Sequence, residues 1–348
     1  MFGADAATGA NAQAPTKPLN TNSDFVVENQ PADDVSCLAW GNWSANQGLL
    51  AAGSWSGKVH LWDVQEEPSH GLQSAARSVY DLEAPVLCCG FTRGAQLLAG
   101  GCGDKVKLWD LHAQTSQDLG QHDAPVKELA VIDDIGLVVT GSWDKTLRFW
   151  SLQQPTPVLT LPLRERVYAM DVKYPVLVVA TADKQVQGLD LQNMRQNPEL
   201  TCTPSQLKMQ TRSVSVFPDR RGYAIGSIEG RCGICGGSDT FTFKCHRTTS
   251  EIFAVNAIDF HPIEGTFATA GSDGAFSFWD KANRQRLKQF HSCYYPITAC
   301  KFSPTGSIFA YAVSYDWSRG HELRSTAPRQ VLLHSCLPAE VRPRGSRR

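Results

Sequence analysis

Hydrophobic and polar positions alternate in short runs along most of this chain, and the runs recur. Each recurrence has two parts. The first is an alternating segment that stops near a turn signal: VSCLAW, APVLCCGF, APVKELAV, RVYAMDV, SVSVF, VNAIDF and PITACKF. The second is a small-residue strand end, a turn, and a further alternating run that closes on an aromatic. It reads AAGSWSGKVHLWD (51–63), LAGGCGDKVKLWD (98–110), VVTGSWDKTLRFW (138–150) and FATAGSDGAFSFWD (267–280). Weaker copies are VVATADKQVQGLD (178–190) and AIGSIEGRCGIC (224–235), and FAYAVSYDW (309–317) is a degenerate last one. Period-two alternation is the pattern of β-strands, whose successive side chains point to opposite faces.

The closing position falls at Trp62, Trp109, Trp150, Leu189, Cys235 and Trp279, in steps of 47, 41, 39, 46 and 44 residues. A four-stranded propeller blade repeats every 40–45 residues or so. Seven pairs of motifs predict an all-β fold, a seven-bladed WD40 β-propeller. Blades are stable only when stacked, so the ring must close. Residues 24–28 (DFVVE) are expected to supply the outer strand of the last blade, beside 330–336 (QVLLHSC). The expected organisation is a disordered segment at 1–23, the propeller at 24–341 and a basic tail at 342–348.

Composition narrows the function classes. At 348 residues and 42% hydrophobic, the chain can bury a large core as one closed β-domain. A formal net charge of −1 supplies no global field for nucleic acid, so any such binding needs a local patch. Eleven scattered cysteines, an odd number, do not form the framework of a small secreted domain. With no leader-like start and no long apolar run, the chain is expected to be soluble and intracellular, with reduced thiols and no membrane contact.

Four constellations invite chemistry. Ser142, Asp144 and His122, near Trp150, have the residue types of a hydrolytic triad. Yet Asp183 and Asp273 repeat the turn position and Glu229 replaces it in a fourth blade. A structural network of turn Asp, loop His and strand Ser is therefore the reading taken, and no catalytic residue is assigned. Cys232 and Cys235, with Cys245 and His246, have metal-ligand types. They fall on a strand whose neighbours alternate faces, so packed thiols are expected, with no metal and no cofactor. RPRGSRR (342–348) reads as a solvated tail or a phosphate contact, and FWDKANRQRLK (278–288) sets Trp279 among cations.

Longer strings carry a resemblance. QHDAPVK (121–127), GSWDKTLRFW (141–150), GSIEGR (226–231), FTFKCHR (241–247), GSDGAFSFWDK (271–281) and SYDWSRGHE (314–322) resemble the RAE family of messenger-RNA export factors, WD40 propellers of the nuclear pore. The BUB-type mitotic-checkpoint propellers share strings like GSIEGR and FKCHR. GSWDKTLRFW, FSFWDK and SYDWSRGHE favour the export factors. The resemblance implies a monomeric, non-catalytic adaptor of the nucleus, nuclear pore and nuclear envelope that shuttles to the cytoplasm. Its implied partner is a GLEBS-type segment of an FG-repeat nucleoporin, an acidic residue of which would meet Arg231. A side groove used for single-stranded RNA would include Phe243, Trp279, Asp280, Lys281, Arg284 and Arg286. A spindle-checkpoint adaptor is the alternative within binding modules, and a propeller hydrolase the alternative from another class. The chain departs from the family in the short glycine-rich stretch GRCGICGGSDTFTF, at Leu189 and Cys235, and between Leu323 and Val331.

Overall fold

Every repeat carries apolar residues on both faces of its strands, so a single sheet would leave one face wet. The computed structural model, which describes residues 20–44, 47–67, 71–194, 198–237, 240–320 and 328–345, resolves this with a ring of seven four-stranded antiparallel sheets. Blade 1 runs from Val35 to Asp81, blade 2 from Val86 to Gln121 and blade 3 from Val126 to Pro162. Blade 4 spans Val167 to Pro204, blade 5 Thr211 to Lys244 and blade 6 Val255 to Gln289. Within each of these six, chain order is also spatial order, innermost strand first.

The core is divided accordingly, with one hydrophobic cluster between each pair of neighbouring blades. Leu61, Val86 and Leu97 join blade 1 to blade 2, for example, and Ile225 and Val178 join blade 5 to blade 4. Phe276, Phe278, Phe309 and Tyr311 fill the space between blades 6 and 7 with interlocked rings. Fully burying one such side chain contributes roughly 1.5–3 kcal/mol.

Blade 7 is completed by the other end of the chain. Its strands Ile297–Phe302, Ile308–Val313 and Gln330–Ser335 are followed at the edge by Phe25–Val26, with Phe25 opposite Leu333 and Val26 opposite Leu332. Val27 is buried in the cluster between blades 7 and 1, and the Trp62 indole N–H donates to the Glu28 carbonyl at 2.6 Å. Asp24 accepts from the Tyr311 hydroxyl at 2.7 Å and pairs with His334 Nδ1 at 2.7 Å. His334 Nε2 meets Glu340 of the short C-terminal helix Pro338–Val341 at 2.9 Å. Burial alone would lower the His334 pKa, but its two carboxylate partners hold it above the ordinary histidine value.

The same irregularity recurs at the inner strand of all seven blades. The register slips between Val35 and Cys37, Val86 and Cys88, Val126 and Glu128, Val167 and Ala169, Thr211 and Ser213, Val255 and Ala257, and Ile297 and Ala299. A bulge of this kind frees one residue per strand and re-aims its side chain. The freed residues, Ser36 through Thr298, ring the central channel, a cavity of ≈ 650 Å³.

Two boundaries differ from the sequence-based expectation. Asn20 to Ser23, expected to be disordered, are anchored: Asn22 exchanges hydrogen bonds with His291, and the Thr21 hydroxyl donates to the Ser292 carbonyl at 3.1 Å. Arg342 and Arg344, expected in a solvated tail, dock on blade 6, through Glu264 at 3.3 Å and the Leu287 carbonyl at 2.8 Å. Short polar residues that bond to a distant blade leave no periodic signal. Residues 1–19, 346–348 and most of the divergent stretch after Leu323 lie outside the described residues.

The closure predicts a difference between two truncations. A chain beginning at residue 20 should melt like the full chain, whereas one beginning at Gln30 loses the closing strand, Val27 and the acceptor of Trp62. Each kcal/mol lost shifts the midpoint by roughly 2–4 °C in a domain somewhat smaller than this, so a drop of several degrees is expected by calorimetry. Equal midpoints for the two truncations contradict closure by Phe25–Val26.

Candidate functional site

Two blades contain a hydrogen-bonded chain that looks catalytic. In blade 3 the Trp150 indole N–H donates to Thr140 Oγ1 at 2.8 Å. The Thr140 hydroxyl reaches His122 Nε2 at 2.6 Å, and His122 Nδ1 meets Asp144 at 2.8 Å. The Asp144 carboxylate can only accept, so Nδ1 carries the ring proton, and the Nε2 of a neutral ring accepts from the Thr140 hydroxyl. Burial keeps the His122 pKa below its ordinary value although Asp144 opposes this, which agrees with a neutral ring. Blade 6 repeats the chain as Trp279, Thr269, His246 and Asp273. Thr140 and Thr269 are fully buried, so neither hydroxyl can meet a substrate. The arrangement latches the loop before a blade onto that blade's turn.

The expected strand member of this network was Ser142, and the structure corrects it to Thr140. Ser142 instead bonds backbone, donating to Pro125 O at 2.9 Å and accepting from Asp144 N at 3.0 Å. The cysteine set is dispersed. Cys232 packs between blades 5 and 6 and Cys235 between blades 4 and 5, on opposite faces of one strand. Both nitrogens of His246 are already engaged in the blade 6 latch.

The residues expected for a side groove lie on the outer strand of blade 5 (Phe241–Lys244) and the outer half of blade 6 (Phe276–Asp280 and Gln285–Gln289). Phe243 stands 4.7 Å from the Trp279 ring and 6.1 Å from Phe241. Cations lie over this aromatic floor. The Arg284 guanidinium is 4.7 Å from the Phe241 centroid, Arg286 is 5.8 Å from Trp279, and Lys281 is 4.6 Å from Phe217. Lys281 also sits 3.5 Å from Asp219.

The six groove residues expected from the sequence are thus brought together, but in different roles. Phe243 is half-buried between Phe241 and Trp279, with Arg284 and Arg286 exposed over the neighbouring rings. The ring of Trp279 packs on Phe243 and its N–H is held by Thr269, so it belongs to the packing of the blades. Asp280 is buried, and its carboxylate accepts from the backbone of Ala282 and Asn283 and from the Asn283 amide. It shapes the turn that presents Lys281 and Arg284, the latter at a left-handed φ of 52°. Sequence reasoning missed Phe241 and Phe217. The alternation F-x-F at 241–243 carried the signal for Phe241, since it puts both rings on one face.

Arg231 begins the third strand of blade 5, half-buried, directly opposite the exposed Lys244. Among the described residues neither cation has a hydrogen bond or ion pair through its side chain. Like charges directly opposite on neighbouring strands repel. Blade 5 also lacks the latch: Cys235 stands at the closing position, and the turn acid Glu229 accepts from the Lys208 backbone at 3.0 Å.

Comparison with known proteins fits this architecture. The family model described as WD domain, G-beta repeat matches residues 25–63, 114–151 and 237–280. The chain is 41% identical to "Protein Rae1" of Drosophila melanogaster, over 94% of this chain and 98% of that protein. It is 40% identical to the "Poly(A)+ RNA export protein" of Schizosaccharomyces pombe, over 99% and 98%. It is 40% identical to the "mRNA export factor GLE2" of Chaetomium thermophilum, over 93% of each.

The latch makes a prediction that separates stability from binding. Thr140→Val keeps the shape but leaves the Trp150 N–H and His122 Nε2 without their partner. Each buried group left unpaired costs about 1–3 kcal/mol. Urea denaturation should show at least that loss, while the side groove and the Arg231 edge, two blades away, keep their affinities. A neutral substitution shows that the latch does not hold blade 3.

Proposed function

We propose that this chain, which belongs to the family of WD40-repeat messenger-RNA export factors, is a non-catalytic adaptor of the nuclear pore that binds a GLEBS-type segment of an FG-repeat nucleoporin. It works in messenger-RNA export from the nucleus and nuclear envelope and shuttles to the cytoplasm. The observation that carries this reading is the pair of unneutralised cations at the edge of blade 5, Arg231 facing Lys244. An acidic residue of a docked segment relieves their repulsion and gains charge-assisted hydrogen bonds, which strengthen as the segment excludes water.

Single-stranded RNA is the second ligand of this reading. Guanidiniums fixed above phenylalanine rings supply both phosphate contacts and stacking surfaces for unpaired bases. Arg284 over Phe241 and Arg286 beside Trp279 have this arrangement, with Phe243 between the two rings. The formal net charge of −1 leaves no global attraction to compete with this local one.

Arg231→Glu should abolish capture of the nucleoporin segment with the fold intact. Losing one partner of a buried charge pair costs about 2–5 kcal/mol, which is roughly 30-fold or more in affinity. Calorimetry with a GLEBS peptide checks this, and an unchanged dissociation constant removes Arg231 from the site.

For RNA, the measurement is the dependence of affinity on salt. Each phosphate contact contributes about −0.7 to the log–log slope for a single strand, so Arg284→Ala with Arg286→Ala should flatten it by about 1.4 at most. Nucleoporin-segment binding should survive the double change. A chain lacking residues 342–348 is the control. If only that truncation alters the slope, the groove does not hold RNA.

A further inference from the structure

The inner wall of the channel carries a feature that the adaptor reading leaves unused. Cys37 on the inner strand of blade 1 and Cys89 on the inner strand of blade 2 face each other with sulfurs 3.5 Å apart. The spacing follows from the repeat. Cys37 is the first residue after the bulge in its strand, and Cys89 is the second after the bulge in the next strand. At the equivalent positions of the other six interfaces at least one partner is not a cysteine, as with Cys88 and Leu129 or Ala257 and Cys300. At these described positions two thiols meet only between blades 1 and 2.

The surroundings favour reaction at this pair. Both residues line the channel cavity, which gives a small solute access from outside. Gly53, opposite Cys37, makes room for the sulfur, since a Cβ there would lie 2.6 Å from it. The Cys89 thiol, then the Ser36 hydroxyl 3.9 Å away and the Gly53 backbone, hold the Cys37 pKa below the ordinary thiol value against burial and the charge of Glu128. The same hydrogen bond, together with burial, holds Cys89 well above it. A hydrogen bond between the sulfurs lets one carry charge while its neighbour keeps the proton, the division of labour of an attacking and a resolving thiol.

We propose that Cys37 and Cys89 are a peroxide-sensitive pair that forms a reversible disulfide between blades 1 and 2. The Cys37 thiolate attacks one oxygen of hydrogen peroxide, the O–O bond breaks, and hydroxide leaves to become water. The Cys89 sulfur then attacks the resulting sulfenic acid, forms the S–S bond, and its proton leaves with the displaced hydroxide as a second water. Two thiols and one peroxide give one disulfide and two waters, with both electrons supplied by the sulfurs. The sulfurs must close from 3.5 Å to about 2.05 Å. Such a bond clasps two blades from inside the ring and leaves the outer edge of blades 5 and 6 free.

The test uses the full reduced chain, treated with hydrogen peroxide, alkylated and digested without reductant. Mass spectrometry should find the Cys37 peptide joined to the Cys89 peptide, and dithiothreitol should release it. Cys88→Ser should leave the crosslink intact, and either Cys37→Ser or Cys89→Ser should abolish it while melting like the reduced parent. The oxidised parent should melt above its reduced form, because the link constrains the unfolded chain. The proposal fails if Cys37 and Cys89 both stay open to alkylation while the exposed Cys202 is oxidised. It also fails if Cys37 passes to the sulfinic acid without crosslinking, or if Cys89 links to Cys88 instead.

Discussion

Everything in this molecule depends on the burial of both faces of each blade. A sheet covered on one side only would leave apolar residues such as Leu98 or Val179 in water, and both are fully buried here. The ring answers this by giving each blade two neighbours, with a separate cluster at each of the seven interfaces. A ring has one seam, and the chain covers it by giving blade 7 a strand from its own beginning. That seam also holds the little-exposed side chains of Asp24, His334 and Glu340 in one connected set, which ends at the exposed Lys288. Buried charges are tolerated when each finds an opposite partner and its hydrogen bonds, and here they tie both ends of the chain together.

With the interior committed to holding the ring, recognition falls to the surfaces that packing leaves over. Turns at one end of the blades, the outer edges and the channel wall are those surfaces. The repeated bulge makes one residue per blade available to the channel at no cost to interblade packing, because the freed side chain is the one the ladder does not use. The latches of blades 3 and 6 extend the same economy outward. They satisfy a buried tryptophan N–H, a histidine and an aspartate with one another, and they fix the loops that border the neighbouring blades.

The fold was legible in the sequence because each of its determinants recurs. Alternation, turn residues and closing aromatics repeat often enough that a weak blade is carried by its neighbours, as Leu189 and Cys235 show in blades 4 and 5. The site residues occur once, and their roles depend on side-chain paths that spacing does not encode. Trp279 stands among cations in the sequence, but its position repeats that of Trp150, and the latch claims its N–H. Asp280 reads as a polar groove residue, but Asp110 and Asp190 stand at the same step after a third strand and cap their own turns. The choice of Thr140 over Ser142 turned on which hydroxyl the indole reaches. Lys244 went unnoticed because its importance lies in facing Arg231 across a ladder, a pairing visible only once the register is known.

The location of the candidate site follows from where the repeat is weakest. Blades 3 and 6 spend a histidine and an aspartate on fixing their loops. Blade 5 has Cys235 in place of the aromatic and Glu229 in place of the aspartate, so that inward pull is missing at its turn. Glycine at positions 230, 233, 236 and 237 keeps the blade thin, and the adjoining outer strand is only Phe241–Lys244. The side chains where this strand meets blade 6 are aromatic and cationic. Because Arg284 and Lys281 already rest on Phe241 and Phe217, they lose less freedom on meeting an anion than lysines and arginines on open surface. The cations at Arg231 and Lys244, by contrast, repel each other until something acidic arrives. Pre-ordered cations on the outer face of blade 6 and unneutralised ones at the edge of blade 5 thus differ in what an anion would gain by meeting them.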